Sequence, residues 1–267
     1  MSVAERHNGR RALVEGPRGA YALDRGGRCT PTPIARPEVL LSPDLFPSRW
    51  PPRHPDRLQL YTMPTPNGQK ASIALEELEL PYEAHRIDIV AGDQHDPDFV
   101  ALNPNAKIPT LLDPNGPGGA PLAIMESGAI LIYLAEKAGR LLPTDPRLRS
   151  ETLQWLFFQV GAVGPMFGQF GHFYQFARRK TDAYGERRYG AEVTRLLGVL
   201  DRRLAGREWL VGEYTIADIA TAPWIGALDF YQGKEFVGYE RFHHVQAWVE
   251  RFHARPAVQR GSTVGSA

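Results

Sequence analysis

From residue 58 onward the chain alternates between two hydrophobic textures. The run LQLYT (58–62) is short, apolar and strand-like. In GQKASIALEELEL (68–80), Ile73, Ala74, Glu77, Leu78 and Leu80 are set around a helix that Pro81 would stop. YEAHRIDIV (82–90) alternates polar and apolar residues as a second strand. TLLD (110–113) and PLAIM (121–125) flank the turn-rich PNGPGGA as an antiparallel hairpin, and ESGAILIYLAEKAG (126–139) reads as a helix closed by Gly139. The order β-α-β, a connecting loop, then β-β-α predicts one small mixed sheet of four strands over residues 58–140.

Beyond a linker at 141–147 the pattern is helical throughout, so 148–261 is expected to be an all-α domain, with 262–267 as a tail. LRSETLQWLFFQVGAVGPMFGQFGHFYQF is a helix pair or one broken helix, punctuated by Gly161, Gly164, Pro165, Gly168 and Gly171. Val193, Leu196, Leu197, Leu200 and Leu204 form one apolar stripe. Thr215 and Asp218 open the next helix as a capping arrangement, which makes both residues structural. Residues 1–57, rich in Pro, Gly and Arg, keep neither period and are expected to be mostly coil, with Leu40, Leu41, Leu45, Phe46 and Trp50 as anchors on the body.

Composition narrows the function. Thirty-one Lys and Arg against 30 Asp and Glu leave no global field to recruit nucleic acid or a membrane surface. The amino-terminal residues are cut by charges before any apolar core forms, and no run of about 18 apolar residues follows. The single cysteine, Cys29, excludes an intrachain disulfide framework or a Cys-x-x-Cys pair, and fits a reducing cytoplasm. His243, His244 and His253 lack a carboxylate or cysteine partner at metal-site spacing, so no metal is expected. No Gly-x-Ser-x-Gly elbow supports a serine hydrolase.

Four local features could carry chemistry. Pro64 and Pro66 stiffen the turn TPNG, leaving Thr65 and Asn67 ahead of a helix with Asn67 well placed as its N-cap. NAKIPT (105–110) precedes the third strand; because only about 5–6% of X–Pro bonds are cis, the Ile108–Pro109 bond taken alone is expected to be trans. Glu126-Ser127-Gly128 opens a helix whose free N–H groups and dipole could receive a carboxylate, although a serine cap is the plain alternative. Gly92-Asp93-Gln94 is a polar loop after the second strand.

Together, TPNGQK, GDQ, NPNAKIPTL, ESGAILIYLAEKAG, LQWLFFQVG and YTIADIA resemble the glutathione transferase superfamily, in particular the bacterial Nu class and the glutathione-dependent disulfide-bond oxidoreductases. The resemblance covers about residues 58 to 261. It implies an α/β thioredoxin-like domain, with a structural cis Pro109 before the third strand, followed by an all-helical domain. It also implies glutathione as co-substrate, as two molecules or as glutathione disulfide, and a homodimer. Ile108 would pair its backbone with the cysteinyl part of glutathione, Glu126 and Ser127 would hold the γ-glutamyl end, and Gln94 and Lys107 would lie near the remaining polar groups. Arg188 matches an arginine that helps to bind glutathione, across a dimer interface.

Where better-known classes use Tyr, Ser or Cys, this chain offers Thr65 and Asn67 to hold the sulfur as thiolate, with Tyr61 a rival that strand packing disfavours. The expected activity is reduction of a small disulfide. Conjugation to an electrophile or reduction of a peroxide is the enzymatic alternative, and a glutathione-fold regulator or carrier the non-enzymatic one. Phe167, Phe170, His172, Phe173 and Tyr174 could wall the acceptor pocket or pack in the core.

Overall fold

The computed structural model describes residues 13–16, 19–23, 29–31, 46–177 and 183–266. The chain divides into two compact units, residues 1–45 and residues 46–267. In the first, β1 (Leu13–Gly16), β2 (Gly19–Leu23) and β3 (Cys29–Pro31) form an antiparallel sheet in that order, where the absence of a hydrophobic period had suggested coil. Leu40, Leu41 and Leu45 lie outside the described residues, as do Arg178, Arg179 and Lys180.

In the second unit, a four-stranded sheet has the order β5-β4-β6-β7, formed by β4 (Leu58–Thr62), β5 (Tyr82–Arg86), β6 (Thr110–Asp113) and β7 (Leu122–Met125). β4 pairs parallel with β5 and antiparallel with β6, which continues antiparallel to β7. All five residues of the central β4 are buried. Of its polar members, Gln59 donates to His54 O and Arg57 O and meets His85 Nε2 at 2.7 Å, whereas the buried Tyr61 hydroxyl has no hydrogen-bond partner among the described residues. β5 stops earlier than the alternation of YEAHRIDIV suggests. The Asp88 carboxylate accepts from Val90 N and Ala91 N, turning the chain out of the sheet.

α1 (Pro66–Leu78) crosses from β4 to β5. It ends on Glu79 in a left-handed conformation (φ 56°), so the stop precedes Pro81. α2 (Pro97–Leu102) leads to β6, and α3 (Ser127–Ala138) follows β7 and closes on Gly139 at φ 65°. The segment before β4 is tied to this domain: Ser48 bonds Asp98, Arg49 pairs with Asp93, and the Arg53 and His54 amides donate to Glu83.

The aromatic stretch is one continuous helix with two π turns. α4 (Pro146–Phe158) runs through a π turn at Gln159–Val163 into α5 (Gly164–Gly171) and a second π turn at His172–Phe176, with right-handed helical dihedrals at each junction. α6 (Ala183–Leu204) buries the stripe Val193, Leu196, Leu197, Leu200 and Leu204 against it. α7 (Ile216–Phe230) is almost wholly buried and begins with a capping box between Thr215 and Asp218. The Asp218 carboxylate also accepts from Leu210 N at 3.0 Å and Trp248 Nε1 at 2.9 Å; burial raises its pKa to about 6, which leaves it ionised at neutrality. α8 (Lys234–Val237), α9 (His243–His253) and α10 (Pro256–Gly261) complete the domain.

The carboxy-terminal segment docks back on the sheet domain. Ser72 Oγ donates to Gly261 O, Gln69 Nε2 to Ser262 O, and Arg86 to Gly265 O. Among the described residues no helix is long and apolar enough to cross a membrane, and no group of three or more His, Cys, Asp or Glu side chains could hold a metal ion.

Candidate functional site

Three chain reversals converge beside α1: the β4–α1 turn, the loop before β6 and the β7–α3 junction. They enclose a cleft of two lobes that share Asn67, Lys107 and Ile108. The smaller lobe, about 140 Å³, adds Pro109, Glu126 and Ser127. The larger, about 260 Å³, adds Thr65 and Gln94.

The loop before β6 is shaped by Asn103, a buried residue that sequence reasoning passed over inside NPNAKIP. Its amide donates to Lys107 O at 2.7 Å and Thr110 Oγ1 at 2.9 Å, and its Oδ1 accepts from Asn105 N at 3.0 Å. The following Ile108–Pro109 bond is cis, against the base-rate expectation and in line with the family resemblance. Ile108 is half-buried at the cleft wall, and among the described residues its backbone N–H and C=O make no hydrogen bond. That leaves one donor and one acceptor for an extended peptide partner.

At the β7–α3 junction Glu126 is the N-cap residue, at φ 71°, and its side chain makes no cap hydrogen bond. Ser127 is the first helical residue, so it is not the serine cap that the sequence alternative proposed. Glu126 and Ser127, at the N-terminus of α3, both line the small lobe, a carboxylate suited to an ammonium beside a helix terminus suited to a carboxylate.

Behind Ser127 lies Lys70, which sequence reasoning also missed. It is 1% exposed, and its Nζ is 3.3 Å from Ser127 Oγ and 2.6 Å from Gln159 Oε1. Burial pushes its pKa down to about 7, opposed by the negative charge of Glu126. The helical repeat places Lys70 on the buried face of α1, but nothing in the sequence marks Ser127 and Gln159 as its partners.

At the β4–α1 turn the N-cap is Thr65, not Asn67. Thr65 Oγ1 accepts from Gly68 N at 3.2 Å, and Pro66 and Asn67 are already helical. Pro66, at the first helical position, has no N–H to satisfy, and the cap lies two residues upstream of Asn67. A Cβ at Gly68 would collide with Met63 O, so only glycine allows the turn to fold this tightly onto β4. Since Thr65 Oγ1 is used as an acceptor, its proton is left to donate. Asn67 Oδ1 accepts from Trp224 Nε1 at 3.1 Å, which leaves the Asn67 amide N–H groups as donors.

Gln94 lines the larger lobe with its Oε1 buried and without a partner. Tyr61 is fully buried and stacked on His85, away from the cleft lining. Phe167 and Phe170 are fully buried, Phe170 stacks on Tyr174, and Phe173 stacks on Tyr189. Phe167, Phe170, Phe173, Tyr174 and His172 line neither lobe; Phe167 and Phe170 pack in the core, and His172 is exposed. Arg188 is exposed on α6 and does not line the cleft of its own chain; Thr215 and Asp218 serve α7.

A mixed β-α-β-α-β-β-α sheet domain with a cis proline in its cleft, fused to a helical domain, is the architecture of the glutathione transferases. The glutathione S-transferase N-terminal domain family matches residues 65–137, and the C-terminal domain family matches residues 160–256. The chain is 45% identical over 203 residues to the disulfide-bond oxidoreductase YfcG of Escherichia coli, covering 75% of this chain and 92% of that protein. It is similar to a glutathione transferase family member of Pseudomonas fluorescens crystallised with two glutathione bound, at 55% identity, TM-score 0.80, and coverage of 81% and 96%. A glutathione transferase of Pseudomonas putida with one glutathione disulfide bound per subunit matches at 54% identity, TM-score 0.79, and coverage of 80% and 94%. The chain belongs to the glutathione S-transferase superfamily.

Proposed function

We propose that the protein is a glutathione-dependent disulfide-bond oxidoreductase in which both reacting thiols come from glutathione. The observation that carries this reading is the pair of donors at the α1 terminus, Thr65 Oγ1–H and the Asn67 amide, in a domain without a cysteine. Neither group can form a disulfide, but both can donate to sulfur and favour the thiolate, which is a minority form near neutrality for a thiol of pKa about 8.5. Ile108 pairs with the cysteinyl backbone, Glu126 takes the γ-glutamyl ammonium, Ser127 with the α3 terminus takes its carboxylate, and Gln94 and Lys107 meet the remaining polar groups. Arg188 acts on the site of a second copy in a homodimer.

One glutathione thiolate attacks the acceptor disulfide, forming a mixed disulfide and expelling one acceptor thiolate, which takes a proton. A second thiolate attacks the glutathione sulfur of the mixed disulfide, releasing glutathione disulfide and the other acceptor thiolate. Two glutathione thiols are oxidised for each acceptor disulfide reduced. The chemistry of the related structures, which hold two glutathiones or one glutathione disulfide, supports this stoichiometry. A reducing cytoplasm would keep glutathione in the required form.

The test is a crystal structure with glutathione disulfide together with turnover on a small disulfide, an organic hydroperoxide and an electrophile. The expected result is density along Ile108, Glu126 and Ser127, with the disulfide turned over fastest. Turnover confined to the hydroperoxide or electrophile would transfer the chain to the conjugating or peroxidase reading, and binding without any turnover would make it a carrier. Light scattering on the same preparation checks the dimer.

A further inference from the structure

Lys70 is a buried ammonium that no anion contacts among the described residues. It is 1% exposed, and the two groups that accept from it, Ser127 Oγ and Gln159 Oε1, are both neutral. Burial of an ammonium with no counter-charge costs far more than burial of an amide or hydroxyl, so a methionine at this position would serve packing alone better than a lysine. The cost is met by specific construction. Gln159 opens a π turn, the kind of helix irregularity that gathers at functional sites, and its side chain is pressed so close to Gly164 that a Cβ there would lie 2.8 Å from Nε2. The helix is thus deformed where it delivers an acceptor to Lys70.

We propose that Lys70 is a positioning residue for the γ-glutamyl carboxylate: its N–H to Ser127 Oγ leaves the serine proton to donate into the cleft and sets a positive charge one hydroxyl behind the ligand anion. This inference rests on the glutathione reading of the cleft. The ligand carboxylate supplies the missing counter-charge, so its affinity and the charge of Lys70 are coupled. Among the described charged groups, Glu126 is the one whose charge acts on Lys70; Ser127 from α3 and Gln159 from the π turn are neutral. A pKa near 7 in the free protein means that binding an anion draws a proton onto Lys70 around neutrality.

The test is calorimetric titration of the full chain, wild type and Lys70→Met, with two ligands. S-methylglutathione removes the titrating thiol. Its analogue carrying 4-aminobutyryl in place of γ-glutamyl keeps the amine and lacks the α-carboxylate. Lys70→Met should raise the Kd of S-methylglutathione by about tenfold or more and that of the analogue by less than about twofold. Equal weakening of both ligands, or of neither, would overturn the proposal and leave Lys70 as a structural residue. Titration of the wild type in buffers of different ionisation enthalpy should show proton uptake with S-methylglutathione between about pH 6 and 8 and none with the analogue. Absence of uptake with S-methylglutathione overturns the proposal even if the variant fails to fold. A wild type that binds neither ligand would instead remove the glutathione reading itself.

Discussion

The indole N–H of Trp224 on α7 donates to Oδ1 of Asn67 on α1 at 3.1 Å. An indole nitrogen can only donate, so the amide must turn its oxygen toward the helical domain and its N–H groups elsewhere. Asn67 lines both lobes of the cleft, and a thiolate accepts hydrogen bonds without donating them. The helical domain therefore fixes which end of the amide the sulfur can meet. The approach is close because α5 carries glycine where it passes Trp224: a Cβ at Gly164 would lie 3.4 Å from the indole nitrogen.

Removal of that single donor should be felt at the sulfur. Trp224→Phe keeps an aromatic ring but frees the Asn67 amide to rotate. The expected outcome is a three- to tenfold fall, roughly, in kcat/KM for disulfide reduction, and a raised pKa of the bound glutathione thiol. Steady-state kinetics and ultraviolet titration of the bound thiolate check both. An unchanged thiol pKa in a folded variant would show that Trp224 does not orient the amide.

Thr65 has two separable duties, as helix cap and as hydroxyl donor. Thr65→Ala loses both and should cost about 0.5–2 kcal/mol of stability through the cap, along with a fall in turnover. Thr65→Ser keeps both and should remain close to wild type in each. Urea denaturation measures the first effect and kcat at saturating glutathione the second. If Thr65→Ala loses stability while turnover holds, the sulfur is held by Asn67 and not by Thr65.

Local signals made much of the fold readable. β4, α1, β6, β7 and α3 follow from short apolar runs, a helical repeat and a hairpin rich in Gly and Pro, because each is dictated within its own segment. The roles of Ile108 and Glu126 were legible only through the family resemblance, since taken alone the Ile108–Pro109 bond reads as trans and Ser127 as a cap. Lys70, Gln159 and Trp224 were not, since each acts through a partner between 57 and 157 residues away, and one sequence carries no mark of such pairing. Thr65 and Asn67 are both good caps, and the choice between them is made by the fit of the turn onto β4 at Gly68. β1 to β3 arise from short segments in a Pro- and Gly-rich stretch, too brief to display a period.

The burial of Lys70 also makes stability depend on pH, with a definite sign. Its pKa is about 7 in the folded chain and 10.5 ordinarily. Below about 7 both states hold the proton and the full burial cost is present. Between these values the unfolded chain holds the extra proton, so stability rises with pH, by up to about 1.4 kcal/mol per unit. Lys70→Met lacks this contribution. In denaturation curves without glutathione, its advantage over wild type should be greater near pH 6 than near pH 9. An advantage that does not change with pH would place the Lys70 pKa outside this range.

The two domains are fastened by Arg255, whose Nε and Nη2 reach the two carboxylate oxygens of Glu77 at 2.6 and 2.8 Å. Glu77 lies on α1, the helix that carries Asn67 and Lys70, and its side chain is only 7% exposed. The guanidinium also lies over the Tyr214 ring at 3.8 Å, so packing and charge act together. Arg255→Met should destabilise by about 3 kcal/mol, because it strands a buried carboxylate. Glu77→Leu combined with Arg255→Met removes the stranded charge and should recover part of that loss, giving a coupling energy of about 1–3 kcal/mol in a double-mutant cycle. The cycle is measured by urea denaturation at neutral pH. Strictly additive losses would mean that each side chain acts through separate contacts and that the pair does not hold α1 against the helical domain.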